Sequence, residues 1–179
     1  MVGPVPTRSV PVGEIRRFGE CAVLIGVEDP RAARSLIRAL HAARLDGLQD
    51  AVGGLATVLV VYDGAGDDLD ARLPALAQLV DEASRRPGEA DDGGALVVLP
   101  CAFDGPDLDE VAALSGCTPA RVIELVTAQA LTVAMVGFSP GFAYLTGLPE
   151  QLRHIPRRPR PRPSVPGGSL ALAAGTKHP

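Results

Sequence analysis

The sequence is poor in aromatic residues and in positive charge, and both shortages argue against nucleic-acid binding. Aromatic residues make up 3% of the 179 positions and Trp is absent, which leaves little for stacking nucleic-acid bases. The formal net charge is −4, whereas a nucleic-acid binder needs cations that neutralise phosphates. We therefore expect no nucleic-acid partner.

Cysteine is also scarce. The three cysteines, Cys21, Cys101 and Cys117, are odd in number and widely spaced, with no CxxC pair. This pattern excludes a disulfide scaffold and most zinc ribbons. We expect all three to be reduced, buried side chains of a cytoplasmic protein, and we expect no metal or prosthetic group in the chain.

Long apolar runs are missing as well. No stretch approaches the ~20 apolar residues that a membrane-spanning helix needs, and the N-terminus has no apolar signal-peptide core. At 46% hydrophobic residues, the chain still has enough apolar side chains for a folded core. The expectation is a folded protein with no membrane partner.

Strand and helix patterns alternate in the N-terminal half. Cys21–Val27 and Thr57–Tyr62 are short apolar runs bounded by glycine or acidic residues, which is typical of strands. Amphipathic patterns predict helices over residues 30–45 and 70–85, the second with Pro74 confined to its first turn. The order strand, helix, strand, strand, helix favours a two-layer α/β sandwich.

A polar segment, RRPGEADDGG over residues 85–94, follows these elements and is typical of a linker. We place a domain boundary there, with one domain over residues 1–90 and a second over residues 91–179. In the second domain, Ala95–Pro100 and Leu131–Val136 have the apolar character of strands. The apolar run Ser169–Ala173 predicts a further strand.

Two helices are predicted between these strands. Asp107 is a predicted N-cap, and Glu110 three residues later completes a capping-box pattern. Thr118 is the predicted N-cap of the next helix, with Pro119 at its first position, and this helix is expected to run to about Gln129.

The segment GFSPGFAYL, Gly137–Leu145, combines glycine, proline and three aromatic residues in one short loop. Glycine allows positive φ and proline stiffens the turn, so the loop can wall a small-ligand site with Phe138, Phe142 and Tyr144. The alternative is a structural turn that packs these rings inward. Ser139 has no neighbouring His or acid, so a serine-hydrolase triad is not expected.

An arginine-rich segment follows, with sequence PRRPRPRPSVPGGS over Pro156–Ser169. Proline holds such a segment extended, and arginine forks bind carboxylates or phosphates bidentately. The segment thus predicts a small-molecule anionic substrate, with Arg162 as a bidentate contact. A solvated proline-rich crossover is the alternative.

Taken together, the two segments resemble the family of the 5-oxoprolinase B subunit, also called allophanate hydrolase subunit 1 or KipI-like. The order GF-x-PGF-x-YL-x-GL followed by PR-R-x-x-PR-x-x-VP-x-GS carries the resemblance, and a weaker likeness includes Phe103–Leu108. The resemblance assigns substrate binding to residues of both segments: Phe138, Pro140, Gly141, Phe142, Tyr144, Arg157, Arg158, Arg162, Gly168 and Ser169.

What the resemblance implies is an α+β protein, with a ferredoxin-like N-terminal α/β sandwich followed by a cyclophilin-like β-barrel domain. It also implies a complex with two partners, a carboxyltransferase-like C subunit and a LamB/YcsF-type A subunit. This complex is expected to use ATP to open 5-oxo-L-proline to L-glutamate. No residue of this chain is assigned a catalytic role, so we expect the chain alone to be inactive.

Two other functions fit the same resemblance. KipI-like members inhibit a sensor histidine kinase by binding it, and an allophanate or urea-degradation hydrolase subunit is the other alternative. The sequence leaves these alternatives open.

The sequence also departs from the family pattern. Val126 stands where a His is common, and Leu55 and Leu131 replace usual tyrosines. After Gly168-Ser169 the family continues with a Gln-Thr-Gly strand and a Pro-Gly-Gly-Trp segment that this sequence lacks. We therefore expect an incomplete barrel with exposed sheet edges. Three explanations of the missing motifs remain open: a truncated chain, a shortened homologue, or a chain whose partner covers the exposed edge.

Overall fold

A computed structural model describes residues 10–64, 67–85 and 94–172 of the chain. It divides into two compact units, Met1–Gly94 with Val133–Leu145, and Ala95–Thr132 with Thr146–Pro179. Most of the expected linker, residues 86–93, lies outside the described residues. The boundary between residues 90 and 91 therefore stays a prediction.

The first unit contains a four-stranded antiparallel sheet with the strand order β1-β2-β4-β3. Its elements in chain order are β1 (Ile15–Arg17), β2 (Ala22–Gly26), α1 (Pro30–Ala43), β3 (Leu48–Gly53), β4 (Thr57–Tyr62) and α2 (Asp67–Arg85). Because β4 pairs antiparallel with both β2 and β3, the β2-α1-β3 segment is a split β-α-β unit. The order from β2 to α2 matches the first five elements of a β-α-β-β-α-β ferredoxin-like sandwich, but the edge strand beside β2 is β1, which precedes the unit instead of following α2.

The hydrophobic core of this unit lies against one face of the sheet, as the alternation of buried side chains along β4 shows. Val58, Val60 and Tyr62 are buried, while the residues between them are only partly buried. Helix α1 buries Leu36 and Leu40 in the same cluster, and α2 buries Leu69 and Leu76 there. The apolar side chains of the strand, which repeat every second residue, thus pack in one hydrophobic layer with those of the helices, which repeat about every 3.6 residues.

Both helices of this unit were predicted, but Pro74 was placed wrongly. Pro74 lies inside α2, beyond its first turn, because the helix begins at Asp67 rather than near residue 70. An interior proline removes one helical hydrogen bond and costs about 3 kcal/mol. Burial of Leu69, Leu76 and Val80 in the core offsets that cost.

The second unit is built on the helix pair α3 (Leu108–Ser115) and α4 (Pro119–Thr127) and a short 3₁₀ helix, Glu150–Leu152. Its small core contains four buried residues, Ala112, Val122, Leu125 and Leu152. The predicted N-cap of α4 is confirmed, since the Thr118 hydroxyl accepts a hydrogen bond from the amide of Arg121 at 3.2 Å.

A two-stranded sheet is formed by β5 (Thr132–Val136) and β6 (Ala143–Thr146). The prediction of a strand near residues 131–136 is confirmed. Strand β6 falls in a part of the sequence that reads as loop, because its side chains lack the alternation of a half-buried strand.

Two predicted strands are absent from the described residues. Ala95–Pro100 forms no strand, and the exposed side chains of this run are Leu96, Val97, Val98 and Leu99. In the predicted strand Ser169–Ala173, the described residues 169–172 are also irregular. A strand needs a paired neighbour, and no backbone within residues 94–172 pairs with either run. The described residues therefore form an α+β protein with antiparallel sheets, and the expected cyclophilin-like barrel is not formed within them.

The expectation of buried cysteines is also wrong. Cys21 and Cys101 are exposed, Cys117 is partly buried, and all three are free thiols. Cys21 precedes β2 and Cys101 follows the exposed run at residues 96–99, so neither belongs to a packed element. None of the helices in the described ranges is long and apolar enough to cross a membrane.

Candidate functional site

The loop between β5 and β6, which we call the aromatic hairpin (residues 137–144), is a tight and hydrogen-bonded turn. The amide of Gly137 donates to the carbonyl of Phe142 at 3.1 Å, and the amide of Phe142 donates to the carbonyl of Ser139 at 3.0 Å. Gly141 has φ of 78°, a conformation that favours glycine. The Gly-Phe pairs and Pro140 thus build a defined loop.

Three aromatic rings of this hairpin contact one another edge to face. The ring centroids of Phe138 and Phe142 are 5.4 Å apart, and those of Phe142 and Tyr144 are 5.0 Å apart, within the range for favourable aromatic pairs. Phe138 is 90% exposed, and Phe142 is exposed as well. Phe138 and Phe142 do not pack inward, whereas Tyr144 is half-buried, so the alternative of a structural turn that packs all three rings inward is wrong for the two phenylalanines.

Phe138 also has an unfavourable backbone conformation. Its φ of 70° lies in the left-handed region, which costs a non-glycine residue about 1–2 kcal/mol. Since the ring is exposed, burial of its side chain contributes little free energy to offset that cost. Strained residues of this kind cluster at ligand and partner sites, which makes Phe138 a candidate contact residue.

The arginine segment, Pro156–Ser169, is held to the N-terminus of α3 by ion pairs. Nη1 of Arg158 lies 2.7 Å from Oδ1 of Asp107 and 3.1 Å from Oε2 of Glu110. Nη2 of Arg162 also pairs with Oδ1 of Asp107. Two of the three arginines assigned to substrate thus already have carboxylate partners within the second unit.

The predicted capping box does not form. The side chain of Asp107 makes no cap hydrogen bond, and its backbone, with φ of −100° and ψ of 1°, lacks the extended conformation of an N-cap. Its Oδ1 pairs with Arg158 and Arg162 instead. The first turn of α3 is instead completed by backbone contacts, such as the amide of Leu108 donating to the carbonyl of Gly105 at 3.2 Å. The carboxylates of Asp107 and Glu110 thus form ion pairs with the arginine segment and not the reciprocal contacts of a capping box.

Arg157 differs from its neighbours. Its side chain is exposed and, within the described ranges, it has no hydrogen bond or ion pair; the same holds for Arg160. Arg157 belongs to the motif that resembles the family, whereas Arg160 occupies one of its variable positions. Arg157 is therefore the arginine of the motif that is available to an external anion.

The end of the segment is a turn. The amide and the hydroxyl of Ser169 both donate to the carbonyl of Pro166, at 3.3 and 2.8 Å. Gly168 has φ of 80°, which this turn requires and glycine supplies without strain. Gly168 and Ser169 thus shape the backbone here, and their contact with a substrate stays a prediction.

The aromatic hairpin falls in the first unit and the arginine segment in the second. The expectation that both line one ligand site stays a prediction.

Sequence reasoning missed Asp107 and Glu110 as the partners of the arginines, although Asp107 lies in the Phe103–Leu108 stretch that carries the weaker family likeness. In the described residues, no group of three or more His, Cys, Asp or Glu side chains could hold a metal ion.

Comparison with known proteins identifies the family. The family model of the carboxyltransferase domain, subdomain C and D, matches residues 13–177. A protein of Escherichia coli O157:H7, named as the B subunit of 5-oxoprolinase, is 33% identical over 163 residues, which cover 87% of this chain and 72% of that protein. A protein of the same name from Bacillus subtilis (strain 168) is 34% identical over 115 residues, 63% of this chain and 43% of its own length.

A solved structure is similar as well. The crystal structure of TTHA0988 matches with a TM-score of 0.66 and 30% sequence identity, and the match covers 86% of this chain and 30% of the TTHA0988 chain. This chain thus spans less than half of the length of the Bacillus subtilis relative and about a third of TTHA0988. With the family model matching nearly the whole sequence, the chain belongs to the carboxyltransferase domain, subdomain C and D family, in which its named relatives are 5-oxoprolinase B subunits.

Proposed function

We propose that this chain is a non-autonomous subunit of an ATP-dependent 5-oxoprolinase complex, which opens 5-oxo-L-proline to L-glutamate. The observation that carries the proposal is the match to proteins named as B subunits of 5-oxoprolinase, one of which aligns over 87% of the chain. The name implies a multi-subunit enzyme. The partners that we propose are a carboxyltransferase-like C subunit and a LamB/YcsF-type A subunit, in the cytoplasm.

The chemistry explains why such a reaction needs ATP. A lactam is stabilised by resonance and resists water, and phosphorylation of its oxygen makes the ring carbon a good electrophile. The sequence has no glycine-rich phosphate loop, so we propose that ATP binds on the partner subunits. This chain then contributes recognition of the substrate or of the partner.

The exposed groups of the two motifs support a recognition role. Arg157 presents a guanidinium that has no ion pair within the described ranges, which suits the carboxylate of 5-oxoproline. Phe138 and Phe142 present exposed apolar ring faces and edges to a substrate or a partner, and the half-buried Tyr144 contacts Phe142 edge to face. Arg158 and Arg162 hold the arginine segment to Asp107 and so position Arg157.

The described residues do not by themselves contain a complete catalytic set. They hold no metal-binding group, and Ser139 has no histidine in its loop. We propose that the catalytic groups come from the assembled complex and that the exposed run Leu96–Leu99 belongs to a cyclophilin-like barrel in that complex.

The experiment is to co-express the chain with the two candidate partners and measure 5-oxoproline-dependent release of ADP. We expect turnover by the three-subunit mixture and none when any one of the three is omitted. Arg157→Ala should lower turnover at least about tenfold, the loss expected for one charged hydrogen bond. Arg160→Ala, an equally exposed arginine at a variable motif position, is the matched control and should leave turnover unchanged.

Two outcomes would contradict the proposal. One is inhibition of a sensor histidine kinase by the chain without any 5-oxoproline turnover, which would favour the KipI-like alternative. The other is release of ammonia from allophanate by the same mixture without ATP, which would favour the urea-degradation alternative.

A further inference from the structure

A cleft in the first unit is lined by residues that belong to neither motif. It has a volume of about 350 Å³, which is at the small end of the range for ligand sites. Its walls come from the turn after α1, the end of β4 and the first turns of α2, and they include the apolar side chains of Leu45 and Ala71. The polar side chains of the cleft are Asp46, Tyr62, Asp68 and Arg72.

Tyr62 is the unusual member of this group. It is only 2% exposed, and its hydroxyl has no hydrogen-bond partner within the described residues. A buried hydroxyl without a partner is unfavourable and therefore rare in folded proteins. Burial raises the pKa of Tyr62 above its ordinary value, with the charge of Arg72 opposing the shift, so the hydroxyl is a proton donor at neutral pH.

The positive charge in the cleft is already matched. Nη1 of Arg72 lies 2.9 Å from Oδ1 of Asp63 and also donates to the backbone carbonyl of Asp63 at 2.5 Å. The guanidinium carbon of Arg72 lies 5.5 Å from the centroid of the Tyr62 ring. Arg72 therefore covers the tyrosine while it is held by Asp63.

The negative charge in the cleft is not matched. Asp46 and Asp68 both line it, and neither has a hydrogen bond or an ion pair from its side chain in the described part of the chain. Two carboxylates without a counter-ion attract a cation. Asp68 also lies in the first turn of α2, where a carboxylate stabilises the helix, and this is the structural alternative for that residue.

We propose that this cleft binds a small organic ammonium compound that also carries a hydrogen-bond acceptor. The ammonium group pairs with Asp46 and Asp68, the acceptor meets the hydroxyl of Tyr62, and the aliphatic part lies against Leu45 and Ala71. Because the hydroxyl oxygen is shut off from water, we expect side chains around Tyr62 to shift when the ligand binds.

The test uses three matched probes and nuclear magnetic resonance of the whole chain. 4-Aminobutanamide has both the ammonium and the acceptor, butylamine has only the ammonium, and butanamide has only the acceptor. We expect saturable shifts with 4-aminobutanamide at residues of the cleft, at concentrations of about 10 mM or below, and at least about tenfold weaker binding of the other two probes.

Variants then separate the two contacts. Tyr62→Phe should remove the preference for 4-aminobutanamide over butylamine, and Asp46→Asn and Asp68→Asn should each weaken both amines severalfold. Asp81→Asn, an exposed aspartate farther along α2, is the control and should change nothing. If Tyr62→Phe does not fold, the aspartate variants still decide the cation contact.

Several results would overturn the proposal. One is the absence of saturable shifts with any probe, and another is that butanamide binds as tightly as 4-aminobutanamide. A third is that Asp68→Asn lowers the stability of α2 but leaves the binding of the amines unchanged. Saturation of the same residues by Mg²⁺ that blocks the amines would assign the cleft to a metal ion instead.

Discussion

Arg158 donates from Nη1 to Oδ1 of Asp107 at 2.7 Å and thereby joins two parts of the chain that lie 51 residues apart. Arg162 pairs with the same carboxylate, so Asp107 is the anchor of the arginine segment. The aspartate that the sequence marks as a helix cap is thus committed to a long-range contact.

We expect Asp107→Asn to release the arginine segment. Because the paired side chains are about 40% exposed, the free energy of unfolding should fall by only about 1 kcal/mol or less. The sharper readout is limited trypsin digestion, which should cleave faster after Arg157, because the other arginines of residues 157–162 are each followed by proline and resist trypsin. Asp109→Asn, a neighbouring aspartate of α3 without an ion pair in the described ranges, should leave the digestion rate unchanged; equal cleavage of both variants would contradict the anchoring role.

In the assembled complex, Phe142→Leu should lower turnover. Phe142 is the middle ring of the aromatic hairpin, and its loss removes both edge-to-face contacts while an apolar side chain remains. Loss of such ring contacts is worth about 0.5–1.5 kcal/mol, or roughly two- to tenfold in rate. Phe18→Leu, an exposed phenylalanine outside the motif, is the control, and equal turnover of the two variants would argue against a role for the hairpin.

Gly47→Ala should cost more stability than Gly13→Ala. Both glycines have positive φ, 69° and 80°, so the backbone strain is similar. A Cβ at Gly47 would lie 2.2 Å from Oδ1 of Asp63, whereas a Cβ at Gly13 meets nothing within 4 Å. The Arg72–Asp63 pair must move, at an added cost of about 0.5–1 kcal/mol, which urea unfolding of both variants would measure.

Stability should depend on alkaline pH through Tyr62. Because burial raises the pKa of Tyr62 in the folded state, the folded protein holds this proton more tightly than the unfolded chain, whose pKa is 10.0. The stabilisation is therefore complete below pH 10 and is lost as the pH rises above it. We expect wild type to lose stability relative to Tyr62→Phe as the pH rises above about 10, the ordinary tyrosine pKa, and to run parallel to it below that value. Parallel curves would show that the hydroxyl is solvated in the folded state.

Leu152→Ala should strongly lower the free energy of unfolding of the second unit. Leu152 is fully buried in a core of only four buried residues, and such truncations cost about 2–5 kcal/mol. Leu114→Ala, at an exposed position of α3, should cost less than about 0.5 kcal/mol. Amide hydrogen exchange of α3 and α4 would report the difference, and similar protection in both variants would show that the 3₁₀ helix is not part of the core.

The sequence by itself determined the features that depend on neighbours along the chain. Amphipathic patterns predicted α1 and α2, short apolar runs with glycine or acidic residues at their ends predicted β2 and β4, and the Thr118-Pro119 pair predicted the start of α4. These signals all act between neighbours along the chain. The order of the two motifs along the chain was also sufficient to indicate the family. Strand β1 escaped prediction because Arg16 and Arg17 hide its pairing with β2.

Only the tertiary structure decided which carboxylates the arginines meet and which apolar runs become strands. Asp107 has the local signature of a cap, but its side chain makes no cap hydrogen bond, and the fold brings Arg158 and Arg162 to its Oδ1. Ala95–Leu99 has the composition of a strand, but a strand forms only where another backbone supplies its hydrogen bonds. Pairing of this kind depends on segments distant in sequence, so local composition does not determine it.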